Sequence, residues 1–182
     1  MRIIAGQARG RKITAPSGPE TRPTSDRARE AIFNALGSRG LVVGANVIDL
    51  FAGSGALGLE AWSRGAANVI CVDNDTRAVR VLRENIEKLG AQDTVSAVSA
   101  EAMGWLAVAH RRCDLLLADP PYAFERWPDL LASIQTSAAL VESDRPVGAP
   151  QGWEQEYVKR YGRSCTTLLV RTTPEVASDE LG

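Results

Sequence analysis

The sequence has 182 residues, 45% of them hydrophobic, which is enough for one domain with a buried core and excludes a disordered chain. No apolar run approaches the roughly 18 to 20 residues of a membrane-spanning helix, and no signal-peptide pattern opens the chain, so we expect a cytoplasmic protein without membrane contact. The net charge of −1 combines +5 over residues 1–40 with −6 over the remainder, and such a basic arm is typical of proteins that bind a polyanion.

The chain begins with residues 1–15, which predict two short strands around a glycine-containing turn. A loop rich in proline and glycine follows. The next helix is expected to start after Thr24 or Ser25, either of which can act as its N-cap, and to end at Gly37. Its apolar face consists of Ala28, Ile32, Phe33 and Leu36.

Strands and helices then alternate along the chain. We predict strands at 47–50, 69–72, 94–98 and 115–118. We predict helices from a glycine loop to about residue 64 and at 76–89, 101–109 and 125–134. The last segment predicts two antiparallel strands, "WEQEYVKRYG" and "CTTLLVRT", joined at "GRS" and placed at the sheet edge. Only the residues from 135 to 150 are available for the next loop and a fifth strand, which makes this connection short.

This order of elements predicts an α/β fold with a doubly wound, mostly parallel sheet of seven strands covered on both faces. We divide the chain into a basic extension of hairpin and helix over 1–40, a main domain over 41–175 and a C-terminal tail over 176–182.

The cysteines and the histidine argue against two kinds of chemistry. Cys71, Cys113 and Cys165 are odd in number, lack CxxC spacing and stand beside apolar runs, which indicates reduced core residues. His110 is the single histidine and is expected in a surface loop. We therefore predict no metal site and no histidine-based hydrolysis.

The segment "VIDLFAGSGALGLEA" carries Gly53-x-Gly55-x-x-Gly58 between a strand and a helix, and Asp73 ends the next strand. This spacing is typical of a nucleoside-binding loop, in which the glycines admit a ligand and the acid accepts hydrogen bonds from ribose hydroxyls. Asp49, directly before the loop, would repel a pyrophosphate but suits a cationic amine, which favours S-adenosylmethionine over NAD. The structural alternatives are a plain tight turn and, for Asp49, capping of the loop backbone.

The fourth parallel strand runs directly into "DPPY", residues 119–122. In an open α/β sheet this position shares a crevice with the glycine loop. The Asp119 carboxylate and the Pro120 carbonyl could accept both N–H bonds of a nucleobase amine and direct its lone pair toward a methyl group. Pro120 and Pro121 restrict the backbone that carries this carbonyl. Tyr122 can stack on a nucleobase that has been extruded from a nucleic-acid helix. The alternative is a simple strand stop.

"DPPY" resembles the [N/D]PP[Y/F/W] motif of methyltransferases that act on adenine or guanine amino groups. With "MRIIAGQARGRK", "RPTSDRAREAIFN" and "DLFAGSGALGLEAWSRGA", the chain resembles the bacterial 16S ribosomal RNA guanine-N(2) methyltransferases, the RsmD family, over about residues 1–122. The resemblance implies methylation of the N2 amino group of one guanine in small-subunit ribosomal RNA, with S-adenosylmethionine as cofactor. It also implies a partly assembled small ribosomal subunit as partner, and we expect a monomer.

The resemblance also assigns roles to individual residues. Those expected to hold the cofactor are Asp49, Phe51, Gly53, Gly55, Asp73, Asn74, Glu101 and Ala102. Those expected to hold the target amine and base are Asp119, Pro120, Pro121 and Tyr122. The resemblance places Arg22, Thr24 and Arg27 near the RNA entrance, and the charge of the N-terminal arm adds Arg9, Arg11 and Lys12 as expected RNA contacts.

Three rival functions follow from the same residues. An adenine-N6 methyltransferase acting on DNA or RNA would share DPPY and the cofactor, but the DNA enzymes usually carry a target-recognition region for which we expect no room in 182 residues. An NAD-dependent reductase would bind a dinucleotide and transfer no methyl group. A non-catalytic RNA-binding assembly factor would keep the fold without needing an intact DPPY.

Overall fold

The structure is a computed structural model that describes residues 1–15, 25–108 and 111–172. Within these ranges the strands are β1 Asn46–Leu50, β2 Asn68–Asp73, β3 Val95–Ser99, β4 Leu115–Ala118, β5 Ala138–Ser143, β6 Trp153–Tyr161 and β7 Ser164–Arg171. The helices in the same ranges are α1 Asp26–Gly37, α2 Ala56–Ser63, α3 Thr76–Leu89, α4 Ala102–Ala107 and α5 Trp127–Ala132. No helix in the described ranges has the length and apolar character needed to cross a membrane.

The strands form one sheet in the order β3–β2–β1–β4–β5–β7–β6. Strands β1 to β5 are parallel, whereas β7 runs antiparallel to both β5 and β6. The predicted doubly wound, mostly parallel seven-stranded sheet is thus confirmed, as is the hairpin at its edge. The strand order reverses between β1 and β4, and open α/β sheets bind their ligands at the carboxyl ends of the strands at such a point.

Helices cover both faces of the sheet with apolar side chains. One core contains Leu36 of α1, Leu59 of α2 and Leu82 of α3, and the other contains Leu106 of α4 and Leu131 of α5. The predicted apolar face of α1 is buried, and Ile32, Phe33 and Leu36 of that face belong to the first of these cores. All three cysteines are buried free thiols, which confirms that they belong to the core.

The N-terminal segment is less regular than the predicted pair of strands, since its two arms join through a single antiparallel bridge between Arg2 and Lys12. Residues 6–12, here called the N-terminal turn, form turn hydrogen bonds among themselves and also bind helices of the body. The Gln7 N–H donates to the Ser63 carbonyl at the end of α2 at 2.8 Å. The segment is therefore ordered by contacts with the body of the protein as well as by a few hydrogen bonds between its two arms.

Arg11 fixes the other side of the N-terminal turn. Its guanidinium donates to the Leu89 carbonyl at 2.9 Å and also to the Lys88 carbonyl, both at the end of α3. In a parallel α/β sheet the helices run opposite to the strands, so their last residues lie at the amino edge of the sheet. The N-terminal turn consequently lies at the edge opposite to the ligand-binding crevice.

Some element boundaries differ from those predicted. The helix expected over 125–134 spans only Trp127–Ala132, with Pro128 in its first turn, where a proline is tolerated because the N–H groups there have no partner within the helix. The helix expected over 101–109 begins at Ala102, after Glu101, which serves as its N-cap. The fifth strand does form, and Ala138 pairs with Leu115 of β4 after a short connection.

Candidate active site

The loop after β1 is shaped by left-handed backbone conformations at Phe51, Gly53 and Gly55, with φ of 60°, 55° and 82°. A Cβ at Gly55 would lie 2.4 Å from a leucine side chain of α3, and one at Gly58 would lie 2.5 Å from the Cys71 Sγ, so a larger residue at either position would displace a side chain packed against α2. A Cβ at Gly53 would have no neighbour within 4 Å. The backbone at Gly53 therefore borders open space, where a ligand can approach.

Asp73, the last residue of β2, ties this loop to the start of α3. Its Oδ2 accepts a hydrogen bond from the Gly53 N–H at 2.7 Å, and its Oδ1 accepts one from the Asp75 N–H at 2.8 Å. Asp75 is the N-cap of α3. Asn74 lies between them with an exposed side chain. The Asp73 carboxylate is thus half-buried and held in a fixed position beside the glycine loop.

Asp49 lies beneath the loop and is only 1% exposed. Its Oδ2 accepts a hydrogen bond from the Gly58 N–H at 2.8 Å. This contact is the capping of the loop backbone that the sequence also allows as the structural alternative for Asp49. Burial raises the pKa of the Asp49 carboxyl to about 8, and the charges of Asp119 and Asp73 act in the same direction, against the hydrogen bond from Gly58. Near neutral pH the carboxyl is therefore mostly protonated, and a cation placed beside it would favour ionisation.

Asp119 directly follows β4 at the same edge of the sheet. Ala118 is level with Leu50 in the register of β4 and β1, so the DPPY turn and the glycine loop leave adjacent strands side by side. The electrostatic influence of Asp119 and Asp73 on Asp49 reflects this proximity. The Asp73 and Asp119 carboxylates thus meet beside the buried Asp49 at the crevice, and their charges create a negative potential that suits a cationic ligand.

The DPPY turn is closed by a hydrogen bond from the Phe124 N–H to the Pro121 carbonyl at 2.9 Å. Pro120 is buried, and no described residue donates a hydrogen bond to its carbonyl. The Phe124 ring packs edge-to-face against Phe51 at 5.4 Å and against Trp127 at 4.9 Å between ring centroids. This aromatic contact links the DPPY turn to the glycine loop, and sequence reasoning missed it because Phe124 stands beyond the motif.

Tyr122 is 45% exposed, so part of its side chain is accessible from the crevice. Its hydroxyl lies 3.0 Å from the Ser164 Oγ at the start of β7. Sequence reasoning also missed Ser164, because only the register of β7 against β5 places it at the crevice. The Ser143 and Cys165 pair sets that register, so residue 164 is level with the carboxyl end of β5.

Glu101 and Ala102, which the resemblance places near an adenine ring, form the start of α4 after β3. The Glu101 carboxylate accepts hydrogen bonds from the Met103 N–H at 3.0 Å and from the Gly104 N–H, so both of its oxygens cap the helix. Ala102 is buried. These two residues lie at the same edge of the sheet as Asp73, since β2 and β3 pair in parallel up to Ser99.

The residues expected to contact RNA fall into two places. Arg9, Arg11 and Lys12 belong to the N-terminal turn at the amino edge, whereas Arg27 lies in the first turn of α1 and lines a surface cleft. Arg22 and Thr24 lie outside the described residues. Ser25 is the N-cap of α1 and accepts a hydrogen bond from the Ala28 N–H at 3.2 Å.

Several basic side chains of the first 40 residues bind other residues of the protein itself. Ion pairs or hydrogen bonds within the described ranges engage Arg2, Arg11, Arg29 and Arg39. Arg29 is completely buried and lies 3.9 Å from the Glu60 carboxylate. The side chains of Arg9, Lys12 and Arg27 form no ion pair or hydrogen bond with any described residue. Net charge alone therefore overstates the charge that this segment offers to a partner.

A seven-stranded sheet in this order, with a glycine loop after β1 and an acid at the end of β2, is the Rossmann-like fold of S-adenosylmethionine-dependent methyltransferases. A family model described as "Conserved hypothetical protein 95" matches residues 1–169. The chain belongs to this family, which is the RsmD family, and the resemblance found in the sequence is thereby confirmed.

Individual relatives support this membership. The Escherichia coli protein "Ribosomal RNA small subunit methyltransferase D" is 43% identical over 122 residues, which cover 67% of this chain and 60% of the relative. The matched part of this chain thus spans less than two thirds of that relative. The Haemophilus influenzae protein of the same name is 30% identical and covers 84% of each chain. A solved structure of the Escherichia coli protein yhhF superposes with a TM-score of 0.82 at 32% identity, covering 95% of this chain and 98% of that one.

Proposed function

We propose that this protein is an S-adenosylmethionine-dependent methyltransferase that methylates the exocyclic N2 amino group of a guanine in 16S ribosomal RNA. One observation carries the proposal: the glycine loop with Asp73 and the DPPY turn with Asp119 leave neighbouring strands at the same edge of the sheet. The family match includes both parts, and the relatives from Escherichia coli and Haemophilus influenzae are named as small-subunit ribosomal RNA methyltransferases.

The crevice suits S-adenosylmethionine better than a dinucleotide. The charges of Asp73 and Asp119 favour a cation and would repel the pyrophosphate of NAD, and a bound cation would favour ionisation of Asp49 as well. Asp73 would accept hydrogen bonds from the ribose, Asp49 would face the amine, and the open space at Gly53 admits the ligand. When bound, S-adenosylmethionine supplies an electrophilic methyl group.

The DPPY turn supplies orientation and electrostatics instead of a covalent intermediate. The Asp119 carboxylate and the Pro120 carbonyl are proposed to accept the two N–H bonds of the guanine amine, which localises the nitrogen lone pair. The closed turn and the buried Pro120 hold these acceptors rigidly, so little reorganisation is needed during the reaction. Tyr122 stacks on the guanine after the base has left its helix.

The partner we propose is a partly assembled small ribosomal subunit. A base must be extruded to reach the crevice, and extrusion costs least where the RNA is single-stranded or incompletely packed. We further propose that the protein acts as a monomer in the cytoplasm.

Methylation assays with isolated substrates test the proposed function. The purified protein and its Asp119→Ala variant are incubated with methyl-labelled S-adenosylmethionine and either free 16S ribosomal RNA or small subunits from cells that lack the gene. Mass spectrometry of the nucleosides should show N2-methylguanosine with the wild type only. N6-methyladenosine instead would support the adenine-N6 alternative, and the absence of any methylated nucleoside would overturn the proposal.

A further inference from the structure

A cleft of about 540 Å³ lies beside the candidate active site, and we call it the hairpin cleft. Its lining includes Arg27, Glu142, Lys159, Arg160, Tyr161 and Ser164. One wall is the start of α1, and the other is the tip of the β6–β7 hairpin. Its volume falls within the roughly 300–1,000 Å³ of small-molecule sites, so a single-stranded nucleotide fits and a duplex does not.

The rim of the hairpin cleft is cationic. Arg27 on α1 and both Lys159 and Arg160 on β6 have exposed side chains, so positive charge reaches the cleft from two separate elements. Arg160 donates one hydrogen bond to the Asp144 carbonyl at 3.3 Å, which leaves most of its guanidinium donors for a partner. The acidic residue of the lining, Glu142, is 2% exposed and lies at the floor on β5. An anionic chain can therefore follow the rim without meeting an exposed carboxylate of the lining.

The cleft also offers an aromatic surface. The Tyr161 ring is half-buried in the lining, and the Lys159 Nζ lies 5.5 Å from its centroid. Single-stranded nucleic acids are typically held by such a combination, with cations on the phosphates and aromatic rings near the bases.

The hairpin cleft adjoins the position proposed for the target base. Ser164 lines the cleft, and its Oγ lies 3.0 Å from the Tyr122 hydroxyl of the DPPY turn. A guanine stacked on Tyr122 would therefore place its neighbouring phosphates at the mouth of the cleft. We propose that the hairpin cleft binds the RNA backbone and one flanking nucleotide next to the methylated guanine, an inference that rests on the proposed function.

Equilibrium binding and kinetics of a double variant test this inference. Lys159→Ala/Arg160→Ala is compared with Arg80→Ala/Arg83→Ala, which removes the same charge from exposed positions on α3. The probes are a short unstructured RNA oligonucleotide and small ribosomal subunits from cells that lack the gene, at several salt concentrations. We expect the Lys159/Arg160 variant to reduce the salt slope for the oligonucleotide by about 1.4, at about 0.7 per phosphate contact. Its KM for the subunit should rise about tenfold while its kcat and S-adenosylmethionine affinity stay near the wild-type values.

The outcomes separate this inference from the proposed function. An unchanged salt slope in the Lys159/Arg160 variant, or an equal loss in the Arg80/Arg83 control, would overturn the hairpin cleft as an RNA site. If the Lys159/Arg160 variant shows a reduced salt slope but the wild-type protein methylates no guanine, the proposed function is refuted. The hairpin cleft then remains an RNA site. Should the double variant fold poorly by circular dichroism, Arg27→Ala tests the opposite wall, with an expected slope reduction of about 0.7.

Discussion

The N-terminal turn and the hairpin cleft are both basic, but they lie at opposite edges of the sheet. The turn binds the ends of α2 and α3 at the amino edge, through Gln7 and Arg11. The cleft lies at the carboxyl edge beside Tyr122, because Ser164 is level with the end of β5. If both regions bind RNA as proposed, the cleft would position the reacting nucleotide, whereas the turn would hold RNA that lies farther from it.

The two regions also differ in how they are attached. Glu60 of α2 is fully buried and accepts hydrogen bonds from the Ile4 N–H at 2.8 Å and the Ala5 N–H at 3.1 Å. The same carboxylate pairs with Arg64 at 2.7 Å and faces the buried Arg29. The N-terminal segment is thus held by a buried charge network, whereas the cleft residues Lys159 and Arg160 extend from a hairpin surface.

The largest effect is expected from breaking that network with Glu60→Gln. The change removes the buried charge that pairs with Arg64 and faces Arg29, so that Arg29 keeps only the partly exposed Asp26, and breaking a buried pair in this way costs roughly 3–5 kcal/mol. Urea denaturation should report the loss of unfolding free energy. Glu156→Gln is the matched control, because the Arg39–Glu156 pair is partly exposed and such pairs are worth at most about 1 kcal/mol. Equal losses in the two variants would contradict the structural role given to Glu60.

Asp119→Ala sharpens the comparison at the carboxyl edge. Loss of one preorganised polar group from such a site typically lowers the rate by about a hundred- to a thousandfold. Circular dichroism and the affinity for S-adenosylmethionine should stay close to wild type, and Asp119→Asn should keep more activity than the alanine variant because it retains an oxygen acceptor. A variant that fails to fold would favour the strand-stop alternative. A folded Asp119→Ala protein with the wild-type rate would refute the proposed chemistry.

Most of the fold could be predicted from the sequence, because helix caps and hydrophobic patterns within each segment favour the same structure that tertiary packing stabilises. Helix α3 was predicted to the residue, since Asp75 caps its start and Gly90, with φ of 72°, ends it. The N-terminal segment was not, because its irregular turn is stabilised by Glu60 and Ser63, more than 50 residues away in the chain. Propensity describes neighbours in sequence and carries no information on such distant partners.

Some residues of the candidate site could likewise be predicted from the sequence, and others could not. Asp73 and Asp119 were located from motifs, because strand ends in a parallel sheet meet at one edge whatever the details of packing. Ser164 and the rim residues Lys159 and Arg160 were not, because their place depends on the pairing of β7 with β5 and β6. Antiparallel register is set by side-chain packing across strands, which the sequence of one strand does not reveal.

The pH dependence of cofactor affinity distinguishes the two roles of Asp49. Because its folded pKa of about 8 lies above the ordinary value of 3.8, its contribution to the stability of the free protein is full below about pH 4 and is lost as the pH rises through 8. If the ionised carboxylate pairs with the amine of S-adenosylmethionine, affinity should rise about tenfold per pH unit between roughly pH 5.5 and 7.

Calorimetry of the wild type and Asp49→Asn checks this expectation. The wild type should release a proton on binding, and the asparagine variant should bind more weakly with little dependence on pH. Affinity that does not change with pH in the wild type would mean that Asp49 only caps the loop at Gly58 and has no role toward the ligand amine.

The smallest effect is expected in the N-terminal turn, where Arg11 and Arg9 carry the same charge but different contacts. Arg11 binds the last carbonyls of α3, and a cation at a helix C-terminus is worth about 0.3–1 kcal/mol, so Arg11→Ala should lower the unfolding free energy by that amount. Arg9 has no side-chain partner among the described residues, and Arg9→Ala should leave stability unchanged. If the N-terminal turn contacts ribosomal RNA, Arg9→Ala should still reduce the salt slope of binding by about 0.7 to 1 while kcat stays constant. A fall in kcat for Arg9→Ala would place the turn near the reacting base and contradict its position at the amino edge of the sheet.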